Sequence, residues 1–316
     1  MRKDWQTLYA ANRSAIRDAG LPDPGLAHSR TPTAPARRHV AVHTPPRLAA
    51  GVAVPLVCML HGCTQDAASF AAATRMNALA DREGFVVVYP QQERRANQQA
   101  CWNWFDPSHQ ARGRGEPAAI ATIVSELAAA ESGYTIDERR IFVAGLSAGG
   151  AMAAILASTY PDVFAAVAVH SGLAHGAAHD VRSAFEAMSR GAGDGSAAQR
   201  GEPVPSLVIH GSADRTVAPV NGEQVLRQAM AGGFDPARPT SSTRHAPAGA
   251  HAYTESRWLD ARGDLVHEAL TVEGLAHAWS GGARGASYSD PRGPDATAAI
   301  WRFFDRVTRS RLRGSG

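Results

Sequence analysis

The sequence predicts an α/β protein built on a mostly parallel sheet, and three observations predict it. Short, continuous apolar runs recur along the chain, as strands covered on both faces require. Helical stretches alternate with them, which is the pattern of a parallel sheet flanked by helices. One run ends in a glycine-flanked serine that opens directly into a helix.

The bulk numbers agree with a single large core. The chain has 316 residues, 44% hydrophobic and 19% charged, which suits a folded globular domain and argues against disorder. The formal charge is +3, and its basic residues are scattered; the densest groups are Arg94-Arg95, Arg139-Arg140 and the tail after Trp301. Without interleaved aromatics or a nucleic-acid motif, this reads as solubilising charge, and no nucleic-acid partner is expected. No run of about 18 apolar residues exists, so no transmembrane span is expected.

From the N-terminus, Met1–Gly20 starts basic but has no apolar core of the kind a secretory signal carries. Trp5, Leu8, Tyr9 and Ile16 suit a short amphipathic helix. Leu21–Arg38 is rich in Pro, Ala and Thr and reads as irregular. The expected organisation is a lead-in over residues 1–37, one domain over 38–308 and a tail over 309–316. Within the domain the expected strands are Val40–Val42, Val54–Leu60, Phe85–Tyr89, Ile141–Ala144, Ala165–Val169, Leu207–Ile209 and the more polar Val266–Val272. The expected helices are Arg75–Glu83, Ala118–Glu131, Ala148–Thr159, Val220–Met230 and the amphipathic Ala296–Val307. An insert over residues 174–204, with a Gly/Ser/Ala-rich stretch Gly191–Gly201, is either a cap over the sheet edge or a decoration.

Residues 141–151, IFVAGLSAGGA, carry the chemistry. A buried strand runs into Gly145-Leu146-Ser147-Ala148-Gly149 and a helix follows. This is a G-x-S-x-G nucleophile elbow in its strand–turn–helix context, and it makes the expected architecture an α/β-hydrolase fold. The tight turn requires small residues two before and two after the serine. The helix N-terminus favours a developing oxyanion. A serine needs a base, and the base needs a carboxylate to fix its tautomer. In this fold they follow in the order acid, then histidine. Asp214 follows the apolar run SLVIH in a turn-rich loop, while Asp235, Asp260 and Asp264 lack such a strand. Of 13 histidines, His277 in VEGLAHAWSGG follows the last apolar run and precedes the last helix. Ser147, Asp214 and His277 are therefore the expected catalytic residues. His61-Gly62-Cys63 follows the strand PLVCML and resembles an H-G-x loop, so the Cys63 and Ala148 amides are the expected oxyanion donors, with His61 bracing the loop.

Three cysteines are present. Cys58 lies inside an apolar run and reads as a buried free thiol. Cys63 and Cys101 lie in loop-like contexts, where pairing stays open. Their spacing with the histidines is not that of a zinc site, and neither metal nor organic cofactor is expected.

LHGCTQ, CWNWF at 101–105, GLSAGGAM, IHGSADRTVAPVN and GLAHAWSGG together resemble the PHB depolymerase-type esterase family. That family includes short-chain polyhydroxyalkanoate depolymerases and feruloyl and acetyl-xylan esterases. The resemblance spans roughly residues 38–308. It implies a serine esterase acting on hydroxyalkanoate polyester, oligomers or related soluble esters, with the triad and oxyanion donors at the positions above. It also implies a Cys63–Cys101 disulfide and a secreted or periplasmic location, whereas a native N-terminus without a signal implies the cytoplasm. No polymer-binding module is visible after residue 308, which shifts the expectation toward soluble esters or oligomers. Trp102, Trp104 and Trp279 are expected either to line an apolar cleft or simply to pack. The alternatives are a feruloyl or acetyl-xylan esterase, a serine peptidase of the same fold, and a non-catalytic binding protein on a hydrolase scaffold.

Overall fold

A computed structural model describes residues 39–48, 51–129, 133–193, 204–231 and 233–314. The expected N-terminal helix, the lead-in before residue 39 and residues 194–203 of the insert lie outside the described residues. Residues 37–316 form one compact unit.

The strands are β1 (Val40–His43), β2 (Val54–Leu60), β3 (Val86–Pro90), β4 (Ile136–Leu146), β5 (Ala166–His170), β6 (Ser206–Gly211), β7 (Ser241–His245), β8 (Tyr253–Leu259) and β9 (Leu265–Val272). They form one sheet in the order β1-β3-β2-β4-β5-β6-β9-β8-β7. Neighbours from β3 to β9 are parallel, and only the edges are antiparallel: β1 on β3, β8 on β9 and β7 on β8. Seven α-helices of the described residues accompany it: α1 (Ala67–Thr74), α2 (Met76–Glu83), α3 (Gly115–Ala128), α4 (Ala148–Thr159), α5 (Val181–Arg190), α6 (Val220–Ala229) and α7 (Ala296–Gly314). A short parallel pair, β10 (Trp279–Ser280) with β11 (Ser289–Asp290), lies apart from the sheet.

The two-residue period of a strand decides the layering. On β2, Leu56, Cys58 and Leu60 join one apolar cluster, with Ile120 and Val124 of α3 and Met152 of α4. Val57 and Met59 point into the other, with Phe303 and Phe304 of α7. All seven residues of β2 are buried, which is why its sequence reads as a continuous apolar run. Across the second layer Phe142 stacks on Phe304, with ring centroids 4.5 Å apart.

Several elements escaped the periodicity. The β7–β8 hairpin is one: SSTRH is an exposed edge and YTESRWL is only half-buried, so neither carries an apolar run. The helices α1 and α5 are others; α1 is mostly alanine, and α5 buries only Ala184 and Ala187. Both helices start from a capping box, Asp66 with Ser69 and Asp180 with Ser183, which is their sequence mark.

The strand order sets the place for chemistry. From β2 the chain passes to β3 on one side and then returns to β4 on the other. The carboxyl ends of β2 and β4 therefore diverge at a topological switch point, where open α/β sheets bind ligands. Leu60 pairs with Gly145, so the loop after β2 and the turn after β4 leave the sheet side by side.

Candidate active site

Ser147 lies in the turn between β4 and α4 with φ 59° and ψ −121°. A non-glycine residue in that region is strained by about 1–3 kcal/mol. The turn is held from several sides. The Ser147 amide donates to the His170 carbonyl at 2.9 Å, and its carbonyl accepts from Ala151 at 2.9 Å. The flanking glycines are sterically required. A Cβ on Gly145 would collide with the Gly149 carbonyl, and one on Gly149 with the carbonyls of Leu60 and His61. The elbow thus packs directly on the end of β2, which brings Gly62 beside the serine. A Cβ built on Gly62 would lie 3.6 Å from Ser147 Cβ.

Asp214 and His277 meet further along the same edge, beyond β5, at the carboxyl ends of β6 and β9. Gly211 of β6 pairs with Val272 of β9. Beyond them the two loops stay linked: Ala213 N–H donates to Leu275 O at 3.1 Å, and Gly274 N–H to Ser212 Oγ at 2.9 Å. One Asp214 oxygen accepts the Thr216 and Val217 amides, both at 2.9 Å. The other accepts His277 Nδ1–H at 2.7 Å. Both side chains are nearly closed to solvent, at 0% for Asp214 and 7% for His277. Burial works against the Asp214 carboxylate, but the hydrogen bond and charge of His277 override it and hold the carboxyl below its usual range. With the proton on Nδ1, His277 presents a basic Nε2.

His170 ties the serine to the histidine loop. Its carbonyl holds the Ser147 amide, and its Nε2 accepts the Ser280 amide at 3.0 Å. Burial, and then the nearby charges of His210 and His277, push its imidazole down to about 3, so it stays neutral. Its position was unremarkable in sequence, at the end of an apolar run.

The loop after β2 is braced by buried polar groups. His61 accepts the Gln92 amide at Nε2 (3.1 Å) and donates from Nδ1 to the Gly62 carbonyl (2.9 Å). The Gly62 amide donates to Gln65 Oε1 at 2.9 Å, and Gln65 Nε2 donates to the Ser287 carbonyl at 3.2 Å. Among the described residues the Cys63 and Ala148 amides have no protein acceptor; Ala148 follows the serine, and Cys63 follows Gly62, which approaches it. Cys63 and Cys101 form a disulfide, and the Thr64 amide donates to Gln99 O at 2.6 Å, so the loop is fastened to residues 99–101. Glu116 is fully buried and accepts Gln92 Nε2, Asn103 N and Asn103 Nδ2, holding that second segment in place. Cys58 is free and buried, and burial pushes its thiol up.

Of the two roles open to Trp102 and Trp279, packing is the one their burial fits. They are 0% and 1% exposed, which leaves no surface for a ligand. Trp102 Nε1 donates to the His61 carbonyl at 3.1 Å, while Trp279 stacks on His170 and donates to Thr297 Oγ1 at 3.1 Å. Each ring holds a piece of the site from behind. Trp104 keeps 5% of its surface exposed. Gln65, Gln92, Glu116 and His170 are the supporting residues that sequence reasoning did not single out. Of these only Gln65 lay inside a recognised motif.

Among the described residues no group of three or more His, Cys, Asp or Glu side chains is placed to hold a metal ion. No described helix is long and apolar enough to cross a membrane.

A family model described as "Esterase PHB depolymerase" matches residues 39–246, a range that holds positions 63, 147, 148 and 214 and stops before 277. Poly(3-hydroxyalkanoate) depolymerase C of Paucimonas lemoignei is 36% identical over 257 residues, covering 78% of this chain and 59% of that protein. Feruloyl esterase B of Neurospora crassa is 35% identical over 142 residues, covering 45% of this chain and 46% of that protein. The chain therefore spans only about half to three fifths of these relatives' lengths. Among solved structures, an acetyl xylan esterase from Aspergillus awamori superposes with a TM-score of 0.64 at 21% identity, covering 84% of this chain and 93% of that one. That likeness shows an α/β-hydrolase fold.

Proposed function

Because the chain belongs to the Esterase PHB depolymerase family, we propose that it hydrolyses carboxylic esters through an acyl-enzyme on Ser147, with short-chain hydroxyalkanoate esters or oligomers as substrates. The observation that carries this reading is the 2.7 Å His277–Asp214 hydrogen bond at the sheet edge where the strained Ser147 sits. His277 Nε2 takes the Ser147 proton as the oxygen attacks the ester carbonyl. The tetrahedral oxyanion is held by the Cys63 and Ala148 amides, each worth about 2.7–4 kcal/mol. The alcohol leaves with the proton from His277, and water repeats the sequence on the acyl-enzyme.

The long stretch shared with a poly(3-hydroxyalkanoate) depolymerase supports the hydroxyalkanoate substrate class. A second reading, feruloyl or acetylxylan esters, is supported by the shorter stretch shared with a feruloyl esterase. Ser147→Ala is expected to lower kcat/KM on p-nitrophenyl butyrate by about 10⁴-fold or more. It is also expected to abolish fluorophosphonate labelling without lowering Tm. Parental activity in that variant ends the assignment. Among hydroxybutyrate oligomers, methyl ferulate, acetylated xylan and an isosteric amide, the oligomers are expected to give the highest kcat/KM. A preference for ferulate or xylan moves the substrate to the second reading, and a preference for the amide marks a peptidase.

A further inference from the structure

Among the described residues the His277 ring is held by a single hydrogen bond, Nδ1–H to Asp214. An imidazole held at Cβ and Nδ1 can still tilt about the line joining them, which carries Nε2 off the serine. One aromatic ring lies against the imidazole. Tyr288 meets His277 edge-to-face, with centroids 6.2 Å apart and planes at 82°.

Tyr288 is an odd residue to find at its position. Its φ is 52°, in the left-handed region that a bulky aromatic avoids. The backbone around it is over-determined. The Trp279 amide donates to the Tyr288 carbonyl at 2.7 Å, the Gly281 amide to Asp290 O at 2.8 Å, and Ser289 Oγ to Ala283 O at 2.8 Å. On its other side Gln65 reaches the Ser287 carbonyl while accepting the Gly62 amide. The segment that carries Tyr288 is thus tied both to the loop of Cys63 and to β10, which follows His277 closely in sequence. Strain maintained by its surroundings in this way marks a side chain with a task. The ring of Tyr288 is what makes the contact with His277.

We infer that Tyr288 is a positioning residue for His277: its ring closes the side of the imidazole that Asp214 does not hold and keeps Nε2 aimed at Ser147. This rests on His277 being the base of the reaction proposed above. Misplacing a reacting group by about 1 Å costs up to about 10²-fold in rate.

The test compares Tyr288→Phe, Tyr288→Ala and Tyr288→Gly in the full chain, with kcat and KM on p-nitrophenyl butyrate and Tm for each. Phe keeps the ring and is expected to hold kcat within about twofold. Ala and Gly are both expected to lose about tenfold or more in kcat, with KM within about twofold. Gly relieves the strain that Ala retains, so Gly is expected to melt above Ala without recovering activity. A purely structural role makes activity follow Tm; recovery of kcat in Gly therefore overturns the inference, as does unchanged kcat in Ala. A rise in KM alone makes Tyr288 a substrate contact and also overturns it. His277→Ala, run alongside, separates the two readings. If that variant stays active, the base assignment itself fails; if it is dead while Tyr288→Ala is fully active, only the inference fails.

Discussion

Asp214 accepts two backbone amides on one oxygen and His277 on the other, and this fixes which nitrogen of the base carries the proton. Asp214→Asn keeps the shape but offers an amide where an acceptor is needed. It is expected to lower kcat by about 10⁴-fold with little change in KM, measured on p-nitrophenyl butyrate. His170, behind the serine, gives a pH signature in stability. Its imidazole titrates at about 3 when folded, against an ordinary 6.5. Between those values the unfolded chain takes up a proton that the folded chain refuses. Stability is therefore full above the ordinary value and falls as pH drops through the window, by about 1.4 kcal/mol per unit. His170→Gln is expected to flatten that slope in urea titrations from pH 6 to pH 4; an unchanged slope places the acid sensitivity elsewhere. Ser147, Asp214 and His277 were put forward from the sequence because each follows a strand in the order this fold demands. His170 was not, because a histidine ending an apolar run has the same sequence mark whether it packs or braces.

At the scale of elements, the loop after β2 is the piece whose geometry must be held. The elbow abuts it through Gly149, the disulfide fastens it to residues 99–101, and Gln65 links it to Ser287. The cysteines are separated by 38 residues. Closing a loop of that length contributes about 2–4 kcal/mol of stability. Cys101→Ser is expected to lower stability by about that much, read by urea denaturation. It is also expected to lower kcat by about tenfold or more at temperatures where the chain stays folded, since the Cys63 amide then loses its anchor. Unchanged kcat in the folded variant means that Cys63 has no part in the oxyanion site. The helices α1 and α5 announce themselves only by their capping boxes, and β7–β8 not at all, because an exposed edge carries no apolar period.

Across the whole molecule, two apolar layers sandwich the sheet, and α7 closes one of them through Ile300, Phe303, Phe304 and Val307. The stack of Phe304 on Phe142 lies under β4, on the far side of the sheet from α3 and α4. Phe304→Ala is expected to cost about 3–5 kcal/mol in urea denaturation. Because the site sits at the strand ends and not in this layer, kcat is expected to stay within about twofold below the melting transition. A large loss of kcat in the folded variant shows that the second layer controls the geometry of the elbow.

By itself the sequence determined the sheet with its helices and the strand–turn–helix elbow, and it proposed the serine, acid and base in their order. Each of these is a local pattern: apolar runs bury strands, small residues permit a tight turn, and polar loops follow strands. Tertiary structure alone decided which side chains support the site. It placed Trp102 and Trp279 behind the reacting groups instead of in a cleft, put the fully buried Glu116 beneath the loop partner of Cys63, and set Tyr288 against His277. Those roles depend on contacts between segments from about ten to more than a hundred residues apart. A side chain's type and its neighbours in the chain do not encode which distant surface it will meet.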